Sequence, residues 1–248
     1  MKDCGIVYVA VDPESSPSPF KFNSSKKRIL NYVLRSINSL KKSNPNLNIT
    51  VFSDFEQILN SGSSEYQSIP IKNDYGFLPK VSGILNSPYE RTIFLDCDTY
   101  VNQDISSLFN PSDNHDICIA REFLNQNILN TGVIYFNNSS SRVQSFFKIW
   151  HEYMIHTKLE AINSHKAFSN KTPDDQGQFN EIYRLGFKDP KFFPQRIKKI
   201  IELSKSLSFN LLDSKIWNCR DAEYKKLKKE NWDFSKTKIF HMRGSFLK

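Results

Sequence analysis

The sequence predicts an α/β fold, and three features predict it. Short, densely apolar runs rich in β-branched and aromatic residues recur along the chain, separated by segments whose apolar residues repeat at three and four. The first of them follow a strand, helix, strand order, the signature of a sheet covered by helices. One run, Ile93-Phe94-Leu95, carries no charge and ends on two carboxylates, Asp96 and Asp98, as a buried parallel strand does when it reaches the edge of its sheet.

Gly5 to Val11 reads as the first buried strand, ending at Asp12-Pro13 and a Ser/Pro-rich loop through Pro19. A loop at this place in an α/β sheet is a natural base-binding lip, which makes Ala10 and Asp12 candidate contacts. Ser25 is placed to cap a helix from Lys26 to about Lys42, whose apolar residues Ile29, Leu30, Val33, Leu34, Ile37 and Leu40 share one face. Asn44-Pro45-Asn46 ends it, and Ile49-Thr50-Val51-Phe52 is a second strand. A short strand around Ile69-Pro70-Ile71 and a helix from Pro79 to Leu85 lead into the run from Ile93 to Val101, read as one strand. Asp116 to Ala120 and Thr131 to Asn137 are two further apolar runs. Arg142 to about His156 is an amphipathic helix whose aromatic residues are most simply core, and Asp174-Asp175-Gln176 opens another through Tyr183. From Leu185 onward short apolar pieces alternate with basic segments, which predicts a less regular C-terminal part. No internal repeat or linker divides the chain, so one domain is expected over residues 1–248.

At 248 residues with 39% hydrophobic content and 20 phenylalanines, the chain can bury a sizeable core. No apolar run is long enough for a membrane span, and the opening Met1-Lys2-Asp3-Cys4-Gly5 leads directly into a strand without a signal-peptide core. The expectation is a cytoplasmic protein beginning at Met1. Cys4, Cys97, Cys118 and Cys219 are scattered, which predicts reduced, structural thiols rather than a zinc site or a disulfide framework. A net charge of +8 and a pI near 9.2 favour an acidic partner, and contact with an anionic membrane face is one form this takes. Nucleic acid is not an expected partner, because no binding motif or aromatic-lined basic groove accompanies the charge.

Asp96 and Asp98 carry the chemistry. Alternation along a strand would project both to one side, where two carboxylates repel unless a cation lies between them. Oxygen ligands at the carboxyl end of a strand suit Mg²⁺ or Mn²⁺, in the place where open α/β sheets bind ligands.

Five motifs in order then give a resemblance that spans nearly the whole chain. They are Lys80 upstream, Asp96-Cys97-Asp98 at the end of an apolar strand, Asn130-Thr131-Gly132 before the run ending in Asn137, Asp175-Gln176 followed by Asn180, and His241-x-x-Gly244. The set resembles the GT-A-type nucleotide-sugar glycosyltransferases and is most similar to their retaining family-8 group, that of glycogenin and the lipopolysaccharide galactosyltransferases. The resemblance implies a Rossmann-like GT-A domain with a mixed, mainly parallel sheet, its nucleotide-binding part about 1–105 and its sugar and acceptor part about 106–248.

It also implies Asp96, Asp98 and His241 as ligands of Mn²⁺ (or Mg²⁺), which holds the diphosphate of a UDP-sugar donor. Asn130, Asp175 and Gln176 would line the sugar pocket, with Lys80 adding positive charge and Gly244 letting the chain approach the diphosphate. Where the family continues to Lys-Pro-Trp, this chain reads Ser245-Phe246-Leu247-Lys248, so Lys248 or Arg243 would supply the phosphate-binding cation. The acceptor would be a glycan, a lipid-linked glycan or a protein. Residue by residue, alternatives stay open: His241 as a histidine bonded to backbone, Asp175 as a helix-terminal carboxylate, and Phe192-Phe193 or Trp217 as core rather than a sugar platform.

Two rival readings remain at this point. Asp96-Cys97-Asp98-Thr99 matches the signature of haloacid-dehalogenase-type phosphatases, with Asp96 as nucleophile and Asp98 as acid/base, although that motif normally sits on a first strand. A basic module binding an acidic glycan or nucleic acid would explain the charge but not the paired aspartates or the asparagine and glutamine motifs.

Overall fold

The structure, a computed structural model, describes residues 2–13, 25–73, 77–110, 115–123, 125–163, 175–185 and 206–242. The first unit is β1 (Lys2–Ala10), α1 (Lys26–Ser43) and β2 (Asn48–Ser53). Ser25 caps α1, its side chain accepting from the Arg28 backbone N–H, and Lys41 and Lys42 lie in the last turn where the helix dipole favours cations. Val33, Ile37 and Leu40 form the buried stripe of α1. A short helix α2 (Glu56–Leu59), strand β3 (Gln67–Pro70) and helix α3 (Leu78–Leu85), with proline in its first turn, lead to β4 (Tyr89–Leu95). Then come β5 (Thr99–Val101), a 3₁₀ turn at Ser106–Phe109, β6 (Ile117–Arg121), β7 (Leu129–Asn137), α4 (Ser141–Asn163) and α5 (Asp175–Leu185).

Seven of these and later strands form one sheet in the order β3-β2-β1-β4-β7-β6-β8, where β8 is Phe209–Leu212. β3, β2, β1 and β4 are mutually parallel, β7 runs against both β4 and β6, and β8 is parallel to β6. Every strand but β7 therefore ends at the same edge, and the order reverses between β1 and β4, where open α/β sheets place ligands. The mixed, mainly parallel sheet expected from the sequence is present.

Strand alternation divides the core. Val7, Phe94, Ile134 and Phe136 face α3, α4 and α5, packing with Phe147, Trp150 and Phe179. Ile6, Tyr8, Ile93, Leu95 and Val133 face the other way, onto Val33, Ile37 and Leu40 of α1. Phe146, Phe147, Ile149, Trp150 and Met154 of α4 are all buried, so that helix's aromatic content is core, as its spacing implied. Each large apolar side chain removed from water contributes about 1.5–3 kcal/mol.

Two expectations need correction. The run from Ile93 to Val101 is not one strand: β4 stops at Leu95, residues 96–98 turn, and β5 leaves the main sheet. The described part of the C-terminal third is also more regular than its composition suggested. It holds β8, α6 (Ser214–Trp217), β9 (Cys219–Arg220), α7 (Asp221–Lys229), a 3₁₀ turn at Phe234–Lys236 and β10 (Ile239–His241). β5, β10 and β9 form a second, three-stranded sheet, β10 pairing antiparallel with β5 and parallel with β9. These strands are too short for periodicity to reveal.

Candidate active site

The turn after β4 is fixed by backbone bonds. The Asp96 N–H donates to the Gly132 carbonyl at 2.8 Å, while the Asp96 carbonyl accepts from the Thr99 N–H at 3.1 Å and its hydroxyl at 2.8 Å. The Cys97 thiol donates to the Val9 carbonyl at 3.1 Å and ties the turn to β1. Asp96 and Asp98 therefore converge through a tight turn, rather than by projecting from one face of an extended strand.

His241 arrives from the second sheet, paired with Thr99, and the Met242 N–H donates to the Asp98 carbonyl at 3.0 Å. Its Nε2 lies 3.1 Å from Asp98 Oδ1 and 3.6 Å from Asp96 Oδ2. One donor atom from each of Asp96, Asp98 and His241 lies within 4.8 Å of the others. Two carboxylates and an imidazole are a donor set that fits Mn²⁺ or Mg²⁺. Burial alone would lower the pKa of His241, but the Asp98 carboxylate beside it, with Asp96 behind, raises it above the ordinary value. Burial pushes the Asp96 carboxyl up, against the pull of Lys80.

Lys80 is the second centre. Carried by α3 and buried, its ammonium lies 2.9 Å from Asp96 Oδ1 and 2.6 Å from Asp175 Oδ2, and donates to Thr131 Oγ1 at 3.3 Å. Thr131 in turn donates to Asp175 Oδ2 at 2.6 Å. Desolvation works against the charge on Lys80, but Asp175 and Asp96 together hold it protonated, with a raised pKa. Trp150 donates to the Asp175 carbonyl at 3.2 Å, and Asn180 clamps α5 onto β7 by bonding both the N–H and carbonyl of Leu129. Asp175 does open a helix, and its side chain also faces the cluster around Lys80.

The third centre gathers two expected residues, Asn130 and Gln176, around Glu122, which was not anticipated. Glu122, just past the end of β6, accepts on Oε1 from Asn130 Nδ2 at 2.7 Å and Gln176 Nε2 at 3.0 Å, and forms an ion pair with Arg220. Burial would raise its pKa, but the bond from Asn130 and the Arg220 guanidinium lower it below the ordinary range. Asn130 Oδ1 accepts from the Gly132 N–H at 2.9 Å and from Asn218 Nδ2 at 2.7 Å, and Asn218 Oδ1 lies 3.0 Å from His241 Nδ1. Glu122 had only a faint signal, a carboxylate near the end of β6 but separated from its apolar run by Arg121, where Asp96 follows Leu95 directly. Asn218 had none. A cavity of about 190 Å³ opens here, lined by Glu122, Phe123, Arg220, Asp221, Ala222, Glu223 and His241.

The lip after β1 lies at the same edge. The Ala10 carbonyl accepts from the Ser53 hydroxyl at 2.7 Å, and Asp12 pairs with Lys26 at 3.1 Å while its N–H donates to Asp54 Oδ1 at 2.7 Å. Trp217 is partly buried, with the Lys238 ammonium 4.6 Å from its ring centre. Gly244, Lys248, Arg243 and Phe192-Phe193 lie outside the described residues. All four cysteines are free, and burial pushes Cys118 and Cys219 up to about 12, as structural thiols require.

Comparison with known proteins gives the context. Among solved structures, the glycosyltransferase GlyE of Streptococcus pneumoniae TIGR4 superposes with a TM-score of 0.56 at 16% identity, over 98% of this chain and 56% of its own. This chain thus spans about half the length of GlyE. The galactosyltransferase LgtC, solved with donor and acceptor sugar analogues, superposes with a TM-score of 0.52 at 12% identity, over 97% of this chain and 87% of its own. Mouse xyloside xylosyltransferase 1 in its apo form gives 0.51 at 16% identity, over 96% and 97% of the two chains. These likenesses identify the fold as GT-A. No curated protein sequence matches the chain. The family model of the nucleotide-diphospho-sugar transferases matches residues 90–245, from β4 through the His241 strand, which takes in Asp96, Asp98, Glu122, Asn130, Asp175 and His241 but not Lys80, and the chain belongs to that family.

Proposed function

We propose that the chain is a metal-dependent hexosyltransferase, moving a sugar from a nucleotide diphosphate donor, read as a UDP-sugar, to a hydroxyl of a glycan, lipid-linked glycan or protein, with retention. The observation that carries this reading is the convergence of Asp96, Asp98 and His241 at the ligand-binding edge of the sheet, in a chain of this family. Asp96, Asp98 and His241 Nε2 would hold Mn²⁺ or Mg²⁺, which supplies Lewis-acid stabilisation of the diphosphate leaving group.

The chain's own residues do the rest. Lys80, fixed between Asp96 and Asp175, brings positive charge next to the metal ligands and holds the Asp175 carboxylate in place. Asp175 accepts hydrogen bonds from sugar hydroxyls on the oxygen Lys80 leaves open. Gln176 donates its amide N–H to Glu122, so its carbonyl oxygen is the end turned to the donor sugar. Among the described residues no strong nucleophile faces this centre in a form that calls for a covalent intermediate. Transfer on one face is favoured: the bond from the anomeric carbon to the diphosphate breaks, the bond to the acceptor oxygen forms, and the acceptor proton passes to the departing phosphate oxygen. Ala10 and Asp12 would frame the base, and Gly244 with Lys248 or Arg243 would reach the diphosphate. The chain works as one domain, its first part for the nucleotide and the remainder for sugars.

The phosphatase reading fails on two counts. Asp96 follows a central strand with three strands before it, and the matched family is one of sugar transferases. No helix among the described residues is long and apolar enough to cross a membrane.

The test is release of nucleoside diphosphate from a panel of nucleotide sugars with Mn²⁺, with Mg²⁺ and with EDTA, for wild type and Asp98→Ala. Metal-dependent release of UDP that the variant loses by orders of magnitude supports the reading. Release indifferent to chelation and to the substitution would overturn it.

A further inference from the structure

We infer that Asn218 is a positioning residue that holds the proton on Nδ1 of His241 and so reserves Nε2 for a divalent cation. The inference rests on the metal reading above, and the argument starts from a group whose direction is fixed. A backbone N–H can only donate, and that of Gly132 points at Asn130 at 2.9 Å, so the Asn130 atom it meets is Oδ1. The other end of the same amide meets Glu122 Oε1 at 2.7 Å, a carboxylate oxygen that accepts, which demands Nδ2 there. Both neighbours fix the Asn130 amide the same way.

Asn218 meets Asn130 Oδ1 at 2.7 Å, so it presents Nδ2 to it. Its Oδ1 is thereby left for His241 Nδ1, 3.0 Å away. A carbonyl oxygen accepts and does not donate, so Nδ1 must carry the hydrogen. In the neutral imidazole, the form that binds a metal, the lone pair is then on Nε2, the nitrogen that faces Asp98 and Asp96.

Burial makes the arrangement strict. Asn130 and Asn218 are almost fully removed from solvent, so turning either amide over would set like atoms against each other with no water to relieve them. Asn218 itself reaches its place because β9, which follows it directly, pairs with the strand that carries His241. The chain of bonds also runs on from Asn130 through Glu122 to Gln176, so the metal ligand and the sugar pocket share one set of oriented amides. A ligand-orienting partner of this kind is worth about 10- to 100-fold in metal affinity.

The experiment has two parts. In the wild-type chain labelled with ¹⁵N-histidine, one-bond and long-range ¹⁵N–¹H spectra assign the protonated nitrogen of His241 without metal and with Cd²⁺ as a diamagnetic probe. Nδ1 should be protonated in both states, and only the Nε2 resonance should move with Cd²⁺. A hydrogen on Nε2 with Nδ1 bare in either state would overturn the inference. In parallel, Mn²⁺ affinity is read by electron paramagnetic resonance for wild type, Asn218→Leu, Asn218→Asp and Asp98→Ala. Asn218→Leu should bind about 10- to 100-fold more weakly, and Asn218→Asp, which keeps an acceptor for Nδ1, should recover most of the loss. Equal affinity for wild type and Asn218→Leu would contradict the inference. Mn²⁺ binding indifferent to Asp98→Ala would instead refute the metal reading, while the wild-type spectrum still decides the position of the proton.

Discussion

A methyl group on Gly132 would lie 2.2 Å from Cε1 and 2.4 Å from Nδ1 of His241. The two residues come from different sheets, and the imidazole occupies the space that any side chain at 132 would need. Gly132 also accepts the Asp96 N–H, so a single position without a side chain seats two of the three converging groups.

Gly132→Ala should therefore fold and lose the site. The nearest atoms in the way are the far end of the His241 side chain, with Asn130 Oδ1 next at 2.9 Å, so the ring swings aside at a cost of about 1–3 kcal/mol. Mn²⁺ affinity should fall at least 10-fold while thermal unfolding remains cooperative. Unchanged affinity would show that His241 does not need this place.

Gly5→Ala makes the same insertion with the opposite result. Its Cβ would lie 2.3 Å from Cζ of Tyr89, a fully buried ring whose hydroxyl is bonded to Thr50 at 2.8 Å. That ring has nowhere to go. Stability should drop by about 1–3 kcal/mol with Mn²⁺ affinity unchanged, as read by urea unfolding and metal titration.

Lys80→Met should be more damaging than either. It leaves the carboxylates of Asp96 and Asp175 facing each other without their shared ammonium, and removing one partner of a buried ion pair costs about 3–5 kcal/mol. Denaturant unfolding at neutral pH checks the loss. A variant as stable as wild type would mean that the two carboxyls share a proton instead.

Glu122→Gln tests the third centre through pH. The folded-state pKa of Glu122 lies below its ordinary 4.5, so the stability its charge contributes is present above that value and is lost as pH falls from there through the folded pKa. The variant lacks this contribution. The gap between the two proteins, roughly 1–3 kcal/mol at neutral pH, should stay constant down to about 4.5 and narrow below it. A gap that widens on acidification would contradict the sign.

What could be read in the sequence follows from how far each signal extends. The cap at Ser25, the stripe from Val33 to Leu40 and the alternation through Ile93, Phe94 and Leu95 are local, repeated patterns, and the structure reproduces them. The expected meeting of Asp96, Asp98 and His241 rested on family resemblance, since 142 intervening residues carry no local clue to it. Their geometry was not legible: the turn at Asp96 to Asp98 breaks a run whose apolar pattern continues through Val101, because β5 is apolar for a different sheet. Glu122, Arg220 and Asn218 are polar residues in short or irregular segments, where composition cannot distinguish a solvent-facing side chain from one turned into a shared network. Only the pairing of β9 with β10 brings Asn218 to His241.

The central claim is that the acidic pair and the histidine hold a divalent cation against a nucleoside diphosphate. Crystals grown with Mn²⁺ and UDP, measured at the manganese absorption edge, test it most directly. The account predicts an anomalous peak within coordination distance of Asp96, Asp98 and Nε2 of His241, with the diphosphate oxygens completing the shell. UDP bound at this edge with no peak there, or a peak held by other residues, would contradict it.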